Sequence, residues 1–167
     1  MRNALAIAAS ACVATTLAAT GTPTLALDAL ASDHITRLAG RWSGDASLVP
    51  ASGPSRAFKC VVVYRAAGDG RQLNQKLRCK SPDYNLEAAT VLHIAGTSVT
   101  GNWEDPVNAI GGDVKGIVTA GGFDVELGGR FFQAKLEVSG SGCEQQVKLT
   151  PARADYMKEL SANLRKC

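Results

Sequence analysis

The chain predicts an all-β fold: an antiparallel up-and-down β-barrel of about eight to ten strands, with a C-terminal α-helix. Three observations carry that expectation. Apolar residues between Gly40 and Thr150 recur at every second position, the period of a strand with one buried face. Glycine-rich turns interrupt them at short intervals, as in successive hairpins. The apolar side of each hairpin also continues onto the apolar side of the next, so all of them serve one surface. A meander this long exposes two edges unless it closes on itself.

Residues 1–26 stand apart from that pattern. Arg2 gives a short positive start, Ala4 to Ala19 is an uncharged apolar run, and Pro23 breaks any helix. Thr24-Leu25-Ala26 then supplies small residues for cleavage after Ala26, with Ala29-Leu30-Ala31 as the second choice. This is the pattern of a secretory signal peptide. A membrane span needs about 20 apolar residues with flanking charge, and this run falls short. The expected location is periplasmic or secreted.

Residues 27–39 read as an N-terminal segment with a short helix, Leu27 to Leu38. The barrel domain is expected over 40–150. In the first strand Trp42, Gly44, Ala46 and Leu48 alternate with Arg41, Ser43, Asp45 and Ser47, and the loop Pro50 to Pro54 ends it.

The next segment, FKCVVVYRAAGDGRQLNQKLRCK (Phe58 to Lys80), reads as a hairpin. Pairing Cys60 with Cys79 sets Val62 beside Leu77 and Tyr64 beside Gln75 on one face. The other face sets Lys59 beside Lys80, Val61 beside Arg78, Val63 beside Lys76, and Arg65 beside Asn74. A slip of one residue would invert every side chain, so the apolar face fixes the register. Opposed cysteines need the close, non-hydrogen-bonded site. A four-residue loop, Gly68 to Arg71, gives that parity; a two-residue Asp69-Gly70 turn does not.

Further along, Tyr84, Leu86, Ala88, Thr90, Leu92 and Ile94 share a side, and Val99, Gly101 and Trp103 return on it after Ala95 to Ser98. Asp105-Pro106 and Ala109 to Gly112 interrupt the sheet. Val114, Gly116 and Val118 then face Leu127, Val125 and Phe123. A tight Gly128-Gly129 turn would put Phe132 beside Val125 and Ala134 beside Phe123. After the Ser139 to Gly142 loop, Cys143, Gln145, Val147 and Leu149 point inward, making nine strands. Residues 151–167 are expected to be helical: Thr150-Pro151 suits a helix start, and Tyr156, Leu160 and Leu164 recur every four residues. Asp155 early and Lys158, Arg165 and Lys166 late agree with a helix dipole.

Of five cysteines, Cys12 leaves with the signal peptide, and four remain in an exported domain. Four cysteines allow three disulfide connectivities. The hairpin register favours Cys60–Cys79, which leaves Cys143–Cys167. No spacing of cysteine or histidine suggests a metal, and no cofactor is implied.

Without residues 1–26 the chain loses one base, Arg2, and carries a net charge of +2. Seven bases and one acid, Asp69, fall between Arg56 and Lys80, so that segment is +6 and the rest −4. Lys59, Arg65, Lys76, Arg78 and Lys80 form a basic face. It is either an ordinary solvated surface, balanced by Asp45 or Glu87, or a contact for an anionic envelope surface. Nucleic acid is not expected as a partner, since the face lacks interleaved aromatics.

The first strand opens with Leu38-Ala39-Gly40-Arg41-Trp42. A Gly-x-Trp before a single antiparallel meander with a terminal helix resembles the calycin superfamily of lipocalins, avidins and small bacterial relatives. The resemblance implies a barrel with Trp42 closing one end. An exported barrel opening in the same way also occurs in bacterial inhibitors of secreted metalloproteases.

The inward set includes Trp42, Tyr64, Gln75, Tyr84, Thr90, Trp103, Arg130 and Gln145 among aliphatics. Apolar walls with a few polar groups suit a small-molecule pocket, and the alternative is a filled core. Trp42, Tyr64, Tyr84, Trp103 and Arg130 are the candidate ligand contacts, with Arg130 at a barrel mouth or turned to solvent. No Ser–His–acid set, carboxylate pair or phosphate loop stands out, so a non-enzymatic binding protein is expected. Its partner is a small apolar or amphiphilic molecule, or alternatively a protein such as a secreted protease.

Overall fold

The computed structural model describes residues 33–167. The signal-peptide reading of 1–26 and the beginning of the 27–39 segment lie outside the described residues. Residues 33–38 are helical. Ten strands follow: β1 (Gly40–Pro50), β2 (Arg56–Ala67), β3 (Gln72–Lys80), β4 (Asn85–Ala95), β5 (Ser98–Asp105), β6 (Ile110–Thr119), β7 (Gly122–Gly129), β8 (Ala134–Ser141), β9 (Glu144–Pro151) and β10 (Met157–Arg165). Each pairs antiparallel with its chain neighbours, and β10 pairs with β1 to close the barrel.

The β2–β3 hairpin has the register its apolar face dictates. Cys60 faces Cys79, Tyr64 faces Gln75 and Arg65 faces Asn74, with Ala67 and Gln72 closing the loop. Gly68, Asp69 and Gly70 are all left-handed, with φ of 60°, 56° and 81°. Such a run suits glycine, and aspartate tolerates it better than most residues. Both disulfides are present, Cys60–Cys79 and Cys143–Cys167. The first joins α-carbons 4.0 Å apart.

The expected C-terminal helix is instead the tenth strand. Leu160 and Leu164, four apart, share a face in a helix and also in a strand, so their spacing fits both periods. Ala162 between them decides: it is buried along with both leucines, while Asn163 and Arg165 are exposed. β10 also fills a structural need, because β1 and β9 would otherwise end in unpaired backbone groups. Leu48 faces Leu160 on one side, and Leu149 faces Leu160 on the other. The barrel therefore runs to Arg165, not to residue 150.

A second correction concerns β7 and β8. Gly128 and Gly129 do not turn the chain; they pair with Asp113 and Gly112 and extend β7. The connection is residues 130–133, so Ala134 faces Leu127 and Leu136 faces Val125. The expected register was displaced by four residues, an even number, so the inward face survived the error. Cys143 likewise leaves the strand pleat. It sits half-buried in the β8–β9 turn after Gly142, where φ is 57°.

Inward glycines close the barrel. A β-carbon on Gly101 would lie 2.0 Å from the Val91 carbonyl oxygen, and one on Gly116 would lie 2.1 Å from that of Asp124. Backbones approach too closely there for any side chain.

Two outcomes follow. Gly101→Ala should destabilise the fold by about 1–3 kcal/mol, as overpacking does, read as a lower urea midpoint. Replacing Cys60 and Cys79 together by serine should cost about 3 kcal/mol through the freed loop, measured by the same denaturation under oxidising conditions.

Candidate functional site

Because the strands run up and down in order, the loops fall into two groups. The turns β2–β3, β4–β5, β6–β7 and β8–β9 lie at one end with the start of β1. The other five connections lie at the opposite end.

The first end is closed. The 33–38 helix buries Ile35 and Leu38 against the core. Trp42 is buried beneath it and donates Nε1–H to the Leu38 carbonyl at 2.8 Å. Lys166 donates to the Arg37 carbonyl at 2.6 Å and places its ammonium 5.0 Å from the Trp42 ring centroid. His34 Nδ1 donates to the Thr119 carbonyl at 3.2 Å. Trp42 therefore works as a stopper with its polar atom already occupied, and it faces no ligand space. Inward residues near this end, Leu73, Leu92, Val99, Phe123 and Leu164, are buried.

Near the same end lies a small polar group, for Tyr64 pairs with Gly40, the first residue of β1. Tyr64 is buried and donates its hydroxyl to Gln145 Oε1 at 3.3 Å. Burial pushes the phenol pKa upward, and the bond to Gln145 offsets little of that, so the ring stays neutral. Gln75, the strand partner of Tyr64, also faces inward. Gln145 Nε2 and Gln75 Oε1 are buried without a hydrogen-bond partner among the described residues.

Toward the other end the interior changes character. Leu48, Leu77, Leu86, Leu136 and Leu149 share the inward face yet are only half-buried. Each lies within a few residues of a loop at that end. An inward side chain in a closed barrel keeps solvent exposure only where the interior can be reached. These leucines make the mouth of the barrel apolar, and half-buried Thr90 and Gln75 lie farther in along β3 and β4.

The rim of that end carries apolar side chains in four separate loops. Tyr84 is 38% exposed, Val107 56%, Phe131 73% and Tyr156 86%. Two residues at this end, Tyr84 and Arg130, correct the expected inward set. Ser81 holds a turn through its backbone N–H to the Tyr84 carbonyl and through Ser81 Oγ, which accepts from the Tyr84 N–H at 3.0 Å. That turn removes Tyr84 from the pleat and sets its ring edge-on to Phe58, 6.3 Å between centroids. Arg130 lies in the β7–β8 loop, exposed, 5.1 Å over the Phe131 ring. Trp103 stays in the wall: it donates Nε1–H to Gly128 O at 3.0 Å and stacks edge-on against Phe132.

The structure thus separates the five candidate contacts. Trp42 seals the closed end, Tyr64 stands in the interior, Trp103 belongs to the wall, and Tyr84 and Arg130 stand on the rim. Sequence reasoning passed over Phe131 and Tyr156, the most exposed rim residues. Phe131 could have been found as the one aromatic of its loop out of phase with the inward set. Tyr156 was hidden by the helical reading.

The outer face of β2–β3 is partly neutralised. Lys59 pairs with Asp45, and Arg78 with Glu87 at 3.5 Å. Arg65, Lys76 and Lys80 have no ion-pair partner among the described residues. Shallow outer hollows of about 330 and 620 Å³ lie over β6 to β9. Their charged linings are internally matched, as where Lys135 meets both Glu137 and Asp124, whose hydrogen bonds raise its pKa. They are ordinary solvated surface.

No protein-family model matches the chain, and no curated protein sequence is similar to it. Solved structures do resemble it. Rv2717c from M. tuberculosis superposes with a TM-score of 0.66 at 16% identity, covering 82% of this chain and 97% of that one. The S-type phycobiliprotein lyase CpeS from Guillardia theta superposes with a TM-score of 0.60 at 6% identity, covering 81% and 91%. The likeness is one of fold alone.

Proposed function

We propose that the chain is an exported, non-enzymatic binding protein of the cell envelope, whose barrel takes a small apolar or amphiphilic ligand through its open end. One observation carries the reading: five inward leucines near the open end, Leu48, Leu77, Leu86, Leu136 and Leu149, are only half-buried. A recess with apolar walls and few polar groups is the ordinary form of a small-molecule site. Exposed apolar side chains around its mouth extend that surface outward. The disulfides agree with an oxidising compartment. No helix among the described residues is long and apolar enough to cross a membrane.

Native mass spectrometry of protein purified without detergent should show a retained small molecule, or uptake of an added apolar dye with enhanced fluorescence. A barrel that stays empty and excludes the dye, yet captures a secreted protease, would replace this reading with the protein-binding one. Phe131 and Tyr156 would then be the contacts to test.

The free cations of the basic face support an anionic envelope surface as a further partner. Changing Arg65, Lys76 and Lys80 to glutamine should reduce retention on vesicles containing phosphatidylglycerol at low salt. Unchanged retention would leave the face with a solvating role only.

A further inference from the structure

The interior has a specific polarity that the apolar mouth alone does not explain. Tyr64 connects two amides: it faces Gln75 across the β2–β3 ladder and hydrogen-bonds Gln145 from the other side of the barrel. Gln145 is 1% exposed, and its Nε2 donor has no partner among the described residues; Gln75 Oε1 is a buried acceptor in the same condition. A buried polar atom without a partner carries a desolvation penalty, and native proteins leave few of them. One free donor and one free acceptor suit a group able to accept and donate at once.

Charge is excluded by the same surroundings. The inward polar side chains are Gln75, Thr90, Gln145 and Asp105. Asp105 is committed to its own loop, accepting from the backbone N–H groups of Val107 and Asn108 at 2.9 and 3.0 Å and from Asn108 Nδ2. No lysine or arginine among the described residues is buried. A carboxylate brought to Gln145 would lie desolvated with no cation to pair with, which is far costlier than burying a neutral group.

We infer that the barrel selects an uncharged amphiphile, an alcohol or carboxamide. Its head group accepts from Gln145 Nε2 and donates to Gln75 Oε1, while its tail lies along the half-buried leucines toward the rim. This rests on the ligand-binding reading above and narrows it to one ligand class.

The test is displacement of a bound apolar dye from the full-length, disulfide-intact protein by dodecanamide, dodecanol and dodecanoate at neutral pH. Dodecanamide and dodecanol should compete at least about tenfold better than dodecanoate, the factor that corresponds to one buried hydrogen bond. Gln145→Leu should weaken dodecanamide about tenfold more than it weakens dodecanoate. Gln75→Met, at a half-buried position more tolerant of change, should act in the same direction and serves if the first variant misfolds. The inference fails if dodecanoate competes as well as the neutral probes. It also fails if folded variants keep the wild-type preference, which would mean the amides hold only water. In both cases the dye still binds and the wider reading stands. If neither dye nor any probe binds, both fall together.

Discussion

Closure of the sheet is the constraint on which the rest of this molecule depends. A ten-strand meander left open would present two rows of unsatisfied backbone groups, and pairing β1 with β10 removes both. Closure also creates an inside, and only then does alternation along each strand sort side chains into interior and exterior. Glycines at inward positions serve it by letting adjacent backbones approach. They make the curve, and the side chains between them decide what the curve encloses.

What is enclosed differs from end to end. The helix at 33–38, the Trp42 indole and the Lys166 ammonium together complete one end with every polar contact local. The opposite end is framed by longer connections whose apolar side chains meet solvent. Next to the sealed end lies a short polar layer, Tyr64 with Gln145 and Gln75, in a largely apolar interior. The asymmetry is written into loop length: hairpin turns at the sealed end are tight, and those at the rim have room to carry side chains outward.

Much of this was legible in the alternation of residues. The β2–β3 register, the Cys60–Cys79 bond and the inward positions of Trp42, Tyr64, Gln75, Trp103 and Gln145 follow from period-two patterning checked against turn length, and Cys143–Cys167 is the pairing that then remains. The tenth strand was not, because a four-residue spacing satisfies helix and strand alike, and the need that settles it is the open edge of β9, far away in sequence. Gly128-Gly129 misled for a related reason. Two glycines signal a turn locally, but here they answer the close approach of Gly112 on the neighbouring strand. The rim was the least readable part. Whether Tyr84 or Arg130 enters the barrel depends on where a strand stops, and at Tyr84 the hydrogen bonds with Ser81 that set this are encoded by no periodicity.

The union of first and last strands bears on how such a chain reaches its folded form. Every other ladder joins neighbours in sequence and can zip as its hairpin emerges. Ser43, by contrast, must wait for Arg165, so a chain delivered from its amino end stays an open ribbon until delivery is complete. The Cys143–Cys167 bond fastens the end of β10 to the β8–β9 turn, so it secures the last strand to β9 and leaves the meeting with β1 to closure itself.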